Sequence, residues 1–367
     1  MRPWILFVAL ILSGCGAKKV TPLFHSSENP VSLSEWGILS AKNGQLDLGE
    51  GVLPYSLNTP LFTDYAHKLR TIWMPGGMAA QYQQDDILSF PVGTVISKTF
   101  YYPAGEGDLV FKKKDIQPVT SLAGLELSKN RLIETRLLVR REAGWEPLSY
   151  VWNDEETEAK LTRIGDIVKL TLSDDGALTP FNYAVPNMNQ CAGCHAPNNT
   201  TRVISPIGPK ARHLNGDYAY AEGAMNQLDK WIDLAYLDKA PIKRPRSAVW
   251  DNVDVPLEGR VRAYLDINCA HCHNPVGPAD TSGLHLNPDN QSAPHLGICK
   301  NAVAAGSGTG GRKYDIHPGK PQDSIMLYRM ETRDPGAMMP ELGRSLTHHE
   351  GAKLLESWIA ELDSSCG

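Results

Sequence analysis

Four of the chain's seven cysteines fall in two frames of one form, Cys191-Ala-Gly-Cys194-His195 and Cys269-Ala-His-Cys272-His273. Two thiols at this spacing can reach the two vinyl groups of one haem and form thioethers. The next residue then brings its imidazole under the iron. With seven Cys and 11 His in 367 residues, roughly 0.004 such CxxCH strings are expected by chance. A thioredoxin-like dithiol would be a single CxxC in a βαβ setting, whereas these two lie among Pro, Asn and Gly. Zinc held by Cys191, Cys194, Cys269 and Cys272 is the other chemistry open to the four thiols, but it does not require a trailing His in both frames. The expectation is two covalently bound haem c groups, attached at the four cysteines, with His195 and His273 as proximal iron ligands.

The sixth ligands are sought among the methionines. Pro335-Gly-Ala-Met338-Met339-Pro340 lies ahead of a closing helix, where monohaem cytochrome c modules supply a distal thioether that raises the potential. Met339, directly before Pro340, is the choice there, with Met338 second. For the first haem Met225 is the candidate and His213 the runner-up; an open iron, His67 or Met74 are the other possibilities. Gly208-Pro209 resembles the loop of small cytochromes whose proline carbonyl accepts a hydrogen bond from the proximal His. Met326 and Met330 read as core filling on a helix over 323–330, and His285, His295 and His317 as surface or capping residues. Cys299 and Cys366 remain; in an oxidising compartment, cysteine arithmetic pairs them as a disulfide, with buried free thiols as the alternative.

Helices must position the second motif. Leu257, Val261, Tyr264 and Leu265 recur at helical spacing and run directly into Cys269. Thr347-His-His-Glu350 reads as a capping box, followed by the stripe Leu354, Leu355, Trp358, Ile359 and Leu362. Around the first motif 185–190 reads as a loop, and Trp231-Ile232 echoes Trp358-Ile359 as a loose repeat. Upstream, Val92–Tyr102, Leu132–Arg140 and Ile167–Leu172 alternate in the manner of strands, with Trp73, Phe90, Tyr101, Trp145 and Trp152 as sheet core and rim. Lys112-Lys-Lys114 reads as a solvated hairpin tip. Gly306-Ser-Gly308-Thr-Gly-Gly311 fits GxGxxG, but no strand precedes it and no βαβ unit follows, so no nucleotide site is expected.

The opening residues read as a leader. Trp4–Leu12 is an apolar run of nine residues, where a spanning helix needs about 20. Leu12-Ser13-Gly14-Cys15 resembles the lipobox of bacterial lipoproteins, whose cysteine is acylated. That implies a signal peptide over 1–14, a lipid anchor on Cys15 and an exported chain, and Gly16 points to the outer membrane. A net charge of -5 with pI near 6.1 argues against nucleic acid as a partner.

The strings Tyr55-Ser-Leu-Asn-Thr-Pro-Leu-Phe62, Phe90-Pro-Val-Gly-Thr94, Arg131-Leu-Ile-Glu-Thr-Arg-Leu-Leu138, Asn189-Gln-Cys191 and Met338-Met-Pro-Glu-Leu-Gly-Arg344, together with both CxxCH frames, resemble the bacterial diheme c-type cytochrome lipoprotein family. The resemblance covers nearly the whole mature chain. It implies haem binding through Cys191, Cys194, His195, Cys269, Cys272 and His273, and electron transfer, with no known substrate. Separately, Gly93-Thr-Val-Ile-Ser-Lys98 ahead of a CxxCH is similar to cytochrome P460, whose haem is additionally linked to a lysine, and Lys98 is the residue that would match. The expected fold is α+β and multidomain. An anchored segment over 15–44 leads to an antiparallel β sandwich or barrel-like domain over 45–185. A first haem module follows over 186–240, then a linker over 241–256 and a cytochrome c-like second module over 257–367. Three functions compete: a tethered electron carrier between periplasmic or cell-surface redox proteins, a peroxidase- or P460-like enzyme with one open haem, and a partner-binding β module with a haem relay.

Overall fold

The computed structural model describes residues 19–112, 118–303 and 305–366. Cys15, the 1–14 leader, Lys113 and Lys114 lie outside the described residues. Strand exceeds helix, 28% against 19%, so the β-rich part dominates. Its strands are β1 (Leu39–Lys42), β2 (Gln45–Leu48), β3 (Leu53–Tyr55), β4 (His67–Trp73), β5 (Val95–Pro103), β6 (Leu109–Phe111), β7 (Leu125–Glu126), β8 (Asn130–Arg141), β9 (Gly144–Trp152), β10 (Ala159–Thr162), β11 (Asp166–Asp174) and β12 (Ala177–Val185). They form a six-stranded antiparallel sheet in the order β10-β9-β8-β5-β4-β3, a three-stranded antiparallel sheet β1-β2-β7, and a sheet β12-β11-β6. The strands expected from alternation are β5, β8 and β11. One pairing departs from the antiparallel expectation: β6 runs parallel to β11, with Leu109 opposite Thr171.

The sheets enclose apolar layers. Leu33, Trp36, Ile38 and Leu39 pack with Leu137, Leu148 and Tyr150 between the large sheet and β1-β2-β7. Trp36 is fully buried and its Nε1 donates to the Tyr150 hydroxyl at 2.8 Å, which in turn donates to the Pro30 carbonyl. Part of the stretch over 15–44, expected as an anchored segment ahead of the domain, is thus core of the sandwich. A second layer joins Phe100, Tyr102, Phe181 and Tyr183.

Beyond β12 come α1 (Met188–His195), α2 (Ala211–Leu214), the hairpin β13 (Asp217–Tyr220) and β14 (Gly223–Asn226), and α3 (Gln227–Asp233). Leu214, Leu228 and Trp231 pack against Ile72, Phe90 and Ile96 of the β-rich part. The first motif's surroundings therefore share a core with the large sheet. The last third holds α4 (Leu257–Asn268), α5 (Ile325–Glu331) and α6 (His349–Glu361) around Val261, Leu265, Leu327, Leu355, Trp358 and Ile359, with Met326 and Met330 at its edge. Cys299 and Cys366 are joined by a disulfide. Among the described residues no helix is long and apolar enough to cross a membrane.

Three local expectations are corrected. A helix, not a loop, carries the first motif: Asn187 caps the Gln190 N–H at 2.9 Å while the Gln190 side chain accepts from the Asn187 N–H at 3.0 Å. No capping box opens α6, because Thr347 donates instead to the Glu331 carbonyl. Glu350 is taken up by the Tyr65 hydroxyl and by Lys112, which also pairs with Asp174 at 2.5 Å. Lys112 is therefore a tie between the β-rich part and α6 rather than a solvated tip.

Candidate functional site

Each motif histidine is oriented through its Nδ1 atom. His195 Nδ1 lies 3.0 Å from the Ser205 carbonyl. Gly208-Pro209 does not supply that acceptor; the Pro209 carbonyl accepts from the Leu88 N–H instead. His273 Nδ1 lies 3.1 Å from the Ser282 hydroxyl, which itself donates to the Ala279 carbonyl and so has a lone pair turned to the ring. Both arrangements place the proton on Nδ1 and leave the lone pair on Nε2. Burial holds both rings neutral, His195 down to about 3 with help from Lys98, and His273 down to about 4 with help from Arg329.

The four thiols are unpaired, and burial raises each above its ordinary value, Cys269 and Cys272 to about 12. A redox dithiol depends on a depressed thiolate pKa, and here the shift has the opposite sign. Among the described residues no three His, Cys, Asp or Glu side chains converge as a metal-ion site. Paired thiols along one turn with an Nδ1-anchored histidine next to them fit the donor set of a haem c.

The two motifs touch. Cys272 Sγ lies 3.8 Å from the Gly193 carbonyl, inside the first CxxCH, and the Asn199 N–H donates to the Val276 carbonyl at 2.7 Å. The Leu342 Cδ1, at the end of an exposed side chain, would stand 2.8 Å from a Cβ at Gly193 and so lies against the first frame. Behind this contact Asp266, three residues before Cys269 on α4, accepts from Arg212 at 2.7 and 2.8 Å and approaches His213 Nε2 at 2.8 Å. The Tyr55–Phe62 string fastens the rest. Asn58 donates to the carbonyls of Arg212, Asn215 and Ser247, and the Phe62 N–H donates to Asn268 beside Cys269.

No family model, curated protein or solved structure matches this chain. Its function has therefore to be read from the site itself.

The segment bearing Met338 and Met339 is braced on both sides. The Met339 N–H donates to the Arg329 carbonyl at 2.8 Å, Arg344 donates to the carbonyls of Arg329 and Thr332, and the Asp64 carboxylate accepts from the N–H groups of Ser345 and Leu346. Arg329 and Glu341 both act on the second motif, at His273 and Cys272. Met225, by contrast, faces Tyr218 across the β13–β14 hairpin and packs against the core of Ile72 and Trp231, in which no residue of α1 takes part. Met74 is buried in that same cluster, and His67 lies on β4 beside Tyr101. His213 is committed to Asp266 through Nε2. His285 and His295 meet with ring centroids 4.2 Å apart and planes tilted by 54°.

Sequence reasoning missed the Asp266 clamp and the row of basic side chains beside the first motif. Arg70, Lys98 and Arg136 stand opposite one another on β4, β5 and β8. Lys98 acts on Cys194 and His195, and Arg136 on Cys191. The available signal was a charged residue in the middle of each of three strands rich in Val, Ile, Leu and Thr.

Proposed function

We propose that the chain is a diheme c-type cytochrome, tethered to the membrane through Cys15, that passes electrons between periplasmic or cell-surface redox proteins. The observation that supports this reading best is the direct contact between the two CxxCH segments, each with an Nδ1-anchored histidine. Two haems held by segments in contact would be near neighbours, which suits relay through one molecule. Haem supplies one-electron chemistry when bound. The protein's own residues do the rest. Cys191, Cys194, Cys269 and Cys272 fix the two groups. Ser205 and Ser282 set the tautomer and orientation of His195 and His273. Met339, on its braced segment, would complete the ligation of the second haem, and Arg212, Asp266 and His213 hold the two halves in register.

A second reading, one open iron at the first site and P460-like redox catalysis, draws support from Lys98, which lies beside Cys194 and His195. The discriminating experiment is the absorption spectrum of the dithionite-reduced protein before and after carbon monoxide. Bands unmoved by the gas are expected for two six-coordinate irons. A shift in about half the absorbance would replace the carrier with the open-site reading, and absence of haem bands after expression in a host competent for cytochrome c maturation would overturn both.

A further inference from the structure

We propose that Arg70, Lys98 and Arg136 form an anion site in the wall facing the Cys191–His195 helix, taking a carboxylate or an inorganic oxyanion. The β register sets Arg70 opposite Lys98 and Lys98 opposite Arg136, one continuous row across three adjacent strands. Like charges directly opposite one another destabilise a sheet, and a bound anion would relieve such a row. The protein answers only one of the three. Glu134, fully buried, takes Arg136 in a two-pronged pair and accepts from the Tyr183 hydroxyl at 2.7 Å. Arg70 is 8% exposed and meets no carboxylate or hydrogen-bond acceptor among the described residues. Lys98 stands over the face of Phe100, at 5.3 Å, and feels the charge of Glu134 without pairing to it. Lys68, on the same face one row on, is spent on the Ala66 carbonyl. Three cations thus share one carboxylate, and the row, at Arg70 above all, is short of negative charge.

That charge has two sources of the same chemistry. One is the carboxylates carried by the haem attached at Cys191, and this source rests on the function proposed above. The other is a small soluble oxyanion drawn to the same wall. The test uses the full-length protein as matured in a cytochrome-competent host, at low ionic strength, with Arg70→Gln and the charge-retaining Arg70→Lys. Sulfate is titrated by calorimetry, and the midpoint potentials of both haems are recorded. Sulfate binding that weakens at least tenfold in Arg70→Gln and recovers in Arg70→Lys identifies a soluble oxyanion. No sulfate binding, with one haem's potential lowered in Arg70→Gln and restored in Arg70→Lys, identifies the haem carboxylates, because losing a nearby cation favours the oxidised state. A folded Arg70→Gln protein with neither effect overturns the site. Protein isolated without haem would sink the function proposed above but not the row, since the sulfate titration then decides alone.

Discussion

Asp266 is the most demanding place to test the assembly. Its carboxylate is 3% exposed, against 10% for Arg212 and 3% for His213. Burial alone would raise its pKa, but the hydrogen bonds from Arg212 and His213 overturn that and hold it well below the usual carboxylate range. Asp266→Leu leaves a buried guanidinium and an imidazole without their acceptor, a loss of about 3–5 kcal/mol. With a urea slope of about 3 kcal/mol per molar, the unfolding midpoint should fall by about 1–1.7 M. Tryptophan fluorescence reads this, since Trp231 and Trp358 lie in the two cores that the clamp connects. The double variant Asp266→Leu/Arg212→Leu should regain most of the loss, because the uncompensated charge is gone. The pH dependence carries its own sign. A depressed carboxylate contributes stability above its unfolded value, about 3.9, and loses it as pH falls through the folded one. The wild-type advantage over Asp266→Leu should therefore stay flat from about pH 7 to about pH 5 and shrink below about pH 4. A single variant within about 1 kcal/mol of wild type, or an advantage that grows on acidification, would refute the clamp.

Three further outcomes follow from the site. Met339→Ala should open the second iron to carbon monoxide and lower its midpoint by more than the ~60 mV of a tenfold shift; an unchanged potential would move the ligand to Met338. Ser282→Ala removes the acceptor facing His273 Nδ1, makes the ring a weaker electron donor and should raise that haem's potential by on the order of 60 mV in voltammetry; a fall would reverse the assigned direction of that bond. Cys299→Ser opens a loop of 67 residues, worth about 4 kcal/mol in the chain-entropy account. Thermal unfolding of the last third should drop accordingly, and a variant as stable as wild type under oxidising conditions would contradict it.

What the sequence could disclose depended on the range of each interaction. The strands β5, β8 and β11 and the stripe of α6 were legible because their periodicities are local. The CxxCH frames were legible because thioether chemistry fixes the spacing within five residues. The helix α1 was not read, since its signal is a cap pair, Asn187 and Gln190, with little apolar periodicity behind it. Ser205 as the partner of His195, Asp266 as the clamp and Asp64 as the brace of the Met339 segment join residues far apart in the chain, and nothing in their immediate neighbours announces it. The basic row needs three strands in register before its three charges become one feature.

The contact between Gly193 and Cys272 also imposes an order in time. On the haem reading each pair of thiols must meet a flat macrocycle, and contact between the segments sets the Cys272 Sγ against the Gly193 carbonyl. Attachment then has to precede docking, and the chain must linger with 188–205 and 269–286 apart. In a chain exported from its N-terminus, as proposed above, the Cys191 frame would emerge before the Cys269 frame. The Asp266 clamp, which ties α2 to the helix that runs into the second frame, would be the latch that closes last.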